Sequence, residues 1–263
     1  LSLTPAVADR CVLWVGMDSI LKARALLVDC DAQYGDMLEG FEVIPQHCLA
    51  AVLDHLPDAR SPLQQTHAWY ALIELVAEDG NTRPLTDVAE RILESAFDQG
   101  QIQDGTIAAN ETQAEAFWQL RDSISAAERA IGPAMQHDIS VPVADMARFI
   151  DECIPEVERA FPRCTAAAFG HLGDGNVHFH VLAQPDAVPG EWEEQEGQRI
   201  SRFVHDAVTR WGGSISAEHG IGQMKREELG RLGDPAALSI MRAVKKALDP
   251  QNLMNPGKLV PPD

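Results

Sequence analysis

Twice along this chain, short β-branched and aromatic runs alternate with helical stretches, and the second series ends in a glycine turn, FGHLGDGNVHFH, at residues 169–180. The first series opens on CVLWVGM (11–17), a strand by composition. DSILKARALLVDCDAQYG follows with helical spacing of Ile20, Leu21, Ala25 and Val28 and an Asp18 cap. MLEGFEVIP and HAWYALIELVAE read as strands around the helix QHCLAAVLDHL. The second series predicts a helix over 84–98, a strand near 102–108, a helix over 111–131, a strand over 135–142 and a helix over 143–160. TAAAFGHLGDGNVHFHVLA then reads as two strands around a turn. Such alternation admits a parallel sheet. The late hairpin, with no glycine-rich phosphate loop after any strand, favours α+β instead: a mostly antiparallel sheet with helices on one face, a duplicated split-βαβ unit of ferredoxin-like kind. Beyond residue 190 the pattern is helical (191–211, 223–230, 235–248), and the proline-rich tail cannot be a long helix. One compact unit is expected over 1–263, its sheet in 1–190 and its helical part in 191–263.

Charge narrows the partners. Forty acidic residues against 21 basic ones give a net charge of −19, which argues against nucleic acid, whose phosphates need a Lys/Arg surface. No run reaches the ~18–20 apolar residues of a membrane span, and no basic segment precedes an apolar one at the start. Five scattered cysteines without a CxxC read as thiols of a reducing cytoplasm. The chain begins without Met and enters a strand pattern almost at once, as a piece of a longer protein would.

Three stretches carry chemistry. Gly173, Asp174, Gly175 and Asn176 suit a sharp reversal. It lets His171 and His178 project toward one point, with His180 on the same strand face as His178. Two imidazoles and a carboxylate form a common open metal site; spacing alone equally fits hydrogen-bonded strand histidines. SAEHGIG (216–222) sets Glu218 and His219 between glycines, as a site or a crowded turn would. In AFWQLRDSIS (116–125), Arg121 and Ser125 are i,i+4 neighbours on a helix. They make either a carboxylate clamp or a surface ion pair.

Taken together, WQLRDSIS, HDISVPV, GHLGDGNVHF, GGSISAEHGIG and LDPQNLMNPGKL resemble the C-terminal region of FAD-linked oxidases of the vanillyl-alcohol-oxidase superfamily. The nearest branch holds the D-2-hydroxyglutarate and D-lactate dehydrogenases, with the glycolate oxidases nearby. The resemblance runs in order from about residue 116 to 260; the first hundred residues match in layout only. It implies oxidation of a D-2-hydroxy acid to a 2-oxo acid with hydride passing to flavin. It also implies a divalent ion, usually zinc, on His171, His178 and Glu218, with His219 as the base that takes the hydroxyl proton. Arg121 and Ser125 match the positions that hold the substrate carboxylate, and Asn255 falls where the tail returns to the flavin.

Two departures touch the substrate side. Gln136 stands where the hydroxyglutarate enzymes carry a substrate-binding Lys, and His180 replaces a common Asn. Most FAD contacts in such enzymes come from a separate N-terminal domain, nothing of which is recognisable here. The isolated chain is therefore expected to bind FAD weakly and not to turn over. An exposed apolar surface near Asn255 should mark the lost contact, or else serve a homodimer. The alternative is a non-catalytic metal-binding or subunit-interaction module with the same fold; a stand-alone metal hydrolase lacks an evident nucleophile or oxyanion turn.

Overall fold

A computed structural model describes residues 7–79, 83–258 and 260–261. Its strands are β1 (Val7–Met17), β2 (Leu38–Pro45), β3 (Trp69–Glu78), β4 (Asp104–Ile107), β5 (Ala134–Ser140), β6 (Cys164–His171) and β7 (Asn176–Ala183). They form one sheet in the order β4-β1-β3-β2-β6-β7-β5, and every neighbouring pair is antiparallel. The first four strands, with helices α1 (Ile20–Tyr34) and α3 (Leu85–Asp98), stand in the 4-1-3-2 order of a split-βαβ unit. The last three repeat that order from the other side, with α6 (Met146–Ala160) and α7 (Gln198–Arg210). The fourth strand of the repeat is reduced to one bridge from Ser140 to Ser214. The duplication read from the sequence is thus present, and its halves meet at β2–β6 through Glu42–His171 and Val43–Gly170.

Helices cover both faces of this sheet, not one. On the first, α1, α3, α6 and α7 pack on Leu13, Val15, Val43, Ile73 and Phe179. On the second, α2 (Gln46–His55), α4 (Glu111–Asp122) and α5 (Ile124–Ile131) pack on Trp14, Ile44, Tyr70, Leu72 and Phe169. The cause is visible in β1, where Cys11 to Met17 are all buried instead of every second residue. A strand with one wet face alternates; a continuous apolar run needs cover on both sides.

Two local expectations also change. Ser19, not Asp18, caps α1 by accepting from the Lys22 amide, while Asp18 pairs with Lys22 Nζ at 2.8 Å. The stretch 111–131 is two helices, broken at Ser123, which ends α4 and starts α5. Serine competes for backbone hydrogen bonds inside helices and suits such junctions. The C-terminal part holds a π-turn at Glu193–Gly197, then α7, α8 (Arg226–Leu232) and α9 (Pro235–Leu248).

One buried imidazole gives the fold an acid limit. His137 is 3% exposed, with Nδ1 at 3.0 Å from the Phe179 carbonyl and Nε2 at 3.0 Å from the Ser201 hydroxyl. Burial, with the His205 charge adding to it, pushes it down to about 3 against the pull of that carbonyl. Its folded value lies below the unfolded one near 6.5, so unfolding takes up a proton between the two and stability falls as pH falls. The expected loss from this residue is about 2 kcal/mol on going from pH 7 to 5. Urea midpoints at the two pH values, compared with His137→Gln, check it; an equal slope in the variant would assign the effect elsewhere.

Candidate active site

Side chains alternate across a sheet, so the register shows which residues share the face beneath α4 and α5. One row crosses four strands as Glu42, His171, Asn176 and Ser140. The next holds Phe169, His178 and Asp138, and the third Ala167, His180 and Gln136. Polar groups thus gather on this face from Glu42 of β2 across β6, β7 and β5.

The turn between β6 and β7 is built by its glycines. Asp174 and Gly175 amides both reach the His171 carbonyl, and Asp174 Oδ1 accepts from the Asn176 amide at 2.8 Å. Gly175 has φ +84°, and a Cβ there would lie 2.2 Å from the Val141 carbonyl oxygen. No other residue fits without moving β5. The reversal leaves the His171 and His178 rings 5.7 Å apart.

The degenerate fourth strand delivers the third partner. After Ser214 the chain passes over Asp138, whose Oδ2 accepts from the Glu218 and His219 amides, each at 2.9 Å. Burial works to raise Asp138, but the His219 and Glu218 amides and the nearby cations outweigh it and hold the carboxyl below its usual range. Glu218 is thereby turned toward the histidines: one donor atom each from His171, His178 and Glu218 lie within 4.8 Å of one another, and His171 Nε2 is 3.5 Å from Glu218 Oε1. Tetrahedral zinc, with bonds of about 2.0–2.1 Å, sets its ligand atoms about 3.4 Å apart. Two imidazoles and one carboxylate are the three-ligand set of a catalytic ion with an open position.

The surroundings fit such an ion. Burial, then the Arg121 charge, pushes His178 down to about 4, which keeps its imidazole neutral and able to ligate. His171 Nδ1 is bonded to Glu42, and that carboxylate raises His171. Two further buried groups, Asp138 Oδ1 and the side-chain amide of Asn176, have no partner among the described residues. A polar site completed by a non-protein group leaves such atoms.

Arg121 does not stand as the sequence suggested. The break at Ser123 separates it from Ser125, which falls in the first turn of α5. Its Nε donates to Glu42 Oε2 at 2.8 Å, and Nη2 lies 3.1 Å from His171 Nε2 and 3.3 Å from His178 Nε2. Glu42, 1% exposed, was missed; an acid inside the buried run FEVIP was its only signal. Burial acts to raise its pKa, but His171 and Arg121 prevail and keep it ionised.

The remaining positions differ in access. His219 is exposed, with Nδ1 3.8 Å from Asp138 Oδ2. His180 is buried, its Nδ1 2.5 Å from Glu128 Oε2, and Glu128 Oε1 accepts from the Cys48 thiol at 3.4 Å. Glu128 too escaped the sequence reading. Gln136 is exposed and accepts from Arg129 Nη1 at 3.2 Å. Asn255 lies in the exposed tail at φ +50°, a conformation Asn tolerates.

Comparison with known proteins follows this geometry. Residues 7–259 match the model of "FAD linked oxidases, C-terminal domain". The mitochondrial D-2-hydroxyglutarate dehydrogenase of Arabidopsis thaliana is 30% identical over 98% of this chain and 44% of that protein. The D-2-hydroxyglutarate dehydrogenase of Xanthomonas citri pv. viticola is 35% identical over 84% of this chain and 46% of that protein. The chain thus spans less than half the length of these curated relatives. Among solved structures, p-cresol methylhydroxylase with substrate bound superposes with TM-score 0.66 at 12% identity, over 97% of this chain and 53% of that one. 4-Ethylphenol oxidase from Gulosibacter chungangensis gives 0.60 at 11% identity, over 99% and 56%; at such identity the likeness is one of fold. With nearly its whole length matched, this chain is a member of the C-terminal domain family of FAD-linked oxidases.

Proposed function

We propose that this chain is the substrate-binding part of an FAD-dependent dehydrogenase that oxidises a D-2-hydroxy acid to a 2-oxo acid, working with an N-terminal FAD-binding domain. The observation that carries this is the meeting of His171, His178 and Glu218 within 4.8 Å on the face that also bears Arg121, with His219 beside them. When bound, a divalent ion would supply Lewis acidity at the substrate hydroxyl and a flavin the hydride-accepting chemistry. His171, His178 and Glu218 would hold the ion. Arg121, pinned through Nε, would turn its Nη2 from the histidine Nε2 atoms it meets in the ion-free site to the substrate carboxylate. His219, next in the chain to a ligand and open to solvent, takes the hydroxyl proton. Asp138 keeps Glu218 and His219 in place through their amides. We take Ser125 and Gln136 as the side chains toward the rest of the substrate, with His180 behind them on Glu128. Arg129 reaches Gln136 and restores a cation to that end, which suits a dicarboxylate such as the 2-hydroxyglutarate named for the relatives.

The C-terminal part supports a covered partner face. Ile240, Met241, Val244 and Leu248 on α9 are exposed together with Leu253 and Met254 beside Asn255. A contiguous apolar patch of this kind marks an interface; we assign it to the FAD-binding domain, with a homodimer as the other use of the same face. Among the described residues no helix is long and apolar enough to cross a membrane. Five free thiols suit a reducing compartment, which we take as the cytoplasm, although the Arabidopsis relative is named mitochondrial.

The test is turnover of the full-length gene product with D-lactate, D-2-hydroxyglutarate, glycolate and larger D-2-hydroxy acids, using a dye as electron acceptor. Reduction of the dye with at least one D acid and not its L form is expected. Flavin-loaded protein that oxidises none of them would instead favour the non-catalytic module.

A further inference from the structure

We propose that Glu42 is the positioning residue of this centre: one carboxylate from the first half of the fold fixes both the ligand His171 of the second half and the substrate-facing Arg121 of α4. The assignment rests on the metal-bearing function proposed above, but its geometry is independent of any ion.

Glu42 is 1% exposed and sits directly opposite His171 where β2 meets β6. Its oxygens are divided between the two partners: Oε1 accepts from His171 Nδ1 and Oε2 from Arg121 Nε at 2.8 Å. An ionised carboxylate is acceptor-only, so Nδ1 carries a proton, and in the neutral imidazole the lone pair lies on Nε2, where the donor-only Arg121 Nη2 meets it at 3.1 Å. That is the nitrogen 3.5 Å from Glu218 Oε1. A ligand histidine whose other nitrogen is held by a carboxylate is fixed in tautomer and ring orientation. The second bond acts on Arg121 in the same way. With Nε engaged, rotation of the guanidinium is restricted and its Nη edge faces the histidines, Nη2 lying 3.1 and 3.3 Å from their Nε2 atoms.

A purely structural ion pair needs one partner for Glu42. Here both partners belong to the site, and each has only a longer contact to another acid: Arg121 Nη1 is 3.5 Å from Asp122, and His171 Nε2 is 3.5 Å from Glu218. The β2–β6 seam pairs Glu42 with His171 and Val43 with Gly170, with the Leu172 amide donating to the Phe41 carbonyl beside them, so one of its pairs is this carboxylate with this histidine. The halves therefore meet at the site, and Glu42 is what the first half contributes to it.

Glu42→Gln keeps the shape but brings an NH2 group that cannot accept. In the ion-free chain labelled with ¹⁵N-histidine, at a pH where His171 is neutral, the wild type should show the proton on Nδ1. The variant should show a mixture or a shift to Nε2. Zinc affinity, read by competition with a chromophoric chelator, should fall about 10–100-fold. In the full-length protein, KM for the hydroxy acid should rise as Arg121 is freed. Because the single change strands the Arg121 charge, Glu42→Gln with Arg121→Met restores neutrality and keeps the tautomer readable if the single variant unfolds. An unchanged tautomer in both variants, with zinc affinity within twofold in Glu42→Gln, would overturn the proposal. A shifted tautomer in a protein whose wild type binds no zinc would support the positioning role while removing the metal from the proposed function.

Discussion

His178→Ala is expected to strip zinc from the protein, from about one ion per chain to background, when metal is measured after dialysis against a weak chelator. The same is expected of His171→Ala. Each is one of the three ligands proposed above, and the loss should exceed the roughly 10–100-fold expected when an outer partner of a ligand is removed. The two differ in their side effects. His171→Ala also leaves Glu42 facing Arg121 alone, so some stability is lost with the metal. His178 packs on Phe169 with ring centroids 5.2 Å apart, and its neutral imidazole is hydrogen-bonded to Arg121 Nη2 instead of to a buried carboxylate such as Glu42. His178→Ala is therefore the cleaner probe, with circular dichroism and the urea midpoint expected near wild type. Full metal content in both variants would remove the assignment of all three ligands.

The second large effect is expected at His219. His219→Gln should lower kcat of the full-length enzyme by about 10²–10⁴-fold, the range for loss of a positioned general base, while zinc content and KM stay close to wild type. The separation follows from the geometry. His219 is exposed, and Asp138 holds it by its backbone amide at 2.9 Å, with only a 3.8 Å contact to the ring. Replacing the ring leaves the Glu218 anchor and the fold untouched. A variant whose kcat stays within threefold of wild type would move the proton-accepting role to another group of the same face. A variant that lost zinc as well would show that the ring, and not only the neighbouring carboxylate, supports the ion.

Much of the architecture was legible because strands and helices announce themselves by local spacing. CVLWVGM, HAWYALIELVAE and the two halves of the hairpin are strands, and 235–248 is helical to the residue. The errors came where neighbours in space decide. Whether a continuous apolar run is covered on one face or two depends on helices far along the chain, and here α2, α4 and α5 supply the second cover. The junction at Ser123 could not be told from helix by propensity, since its cost is offset by packing of α5 on the sheet. Glu42 and Glu128 were invisible for a different reason. A lone acid in a strand or helix has many surface uses, and only the imidazoles 129 and 52 positions away in the chain give these two a buried one.

From the sequence alone came the glycine turn that fixes His171 and His178 as strand neighbours, the two helix–strand series, and the acidic surface, because each depends on residues within reach of one turn or one strand. The tertiary structure decided the rest. Glu218 reaches the histidines because the fourth strand of the second repeat is reduced to a bridge at Ser214, and His171 meets Glu42 because the two repeats join at β2–β6. Electrostatic and ligand contacts act over a few ångströms of space, and only the folded chain sets which distant residues come that close.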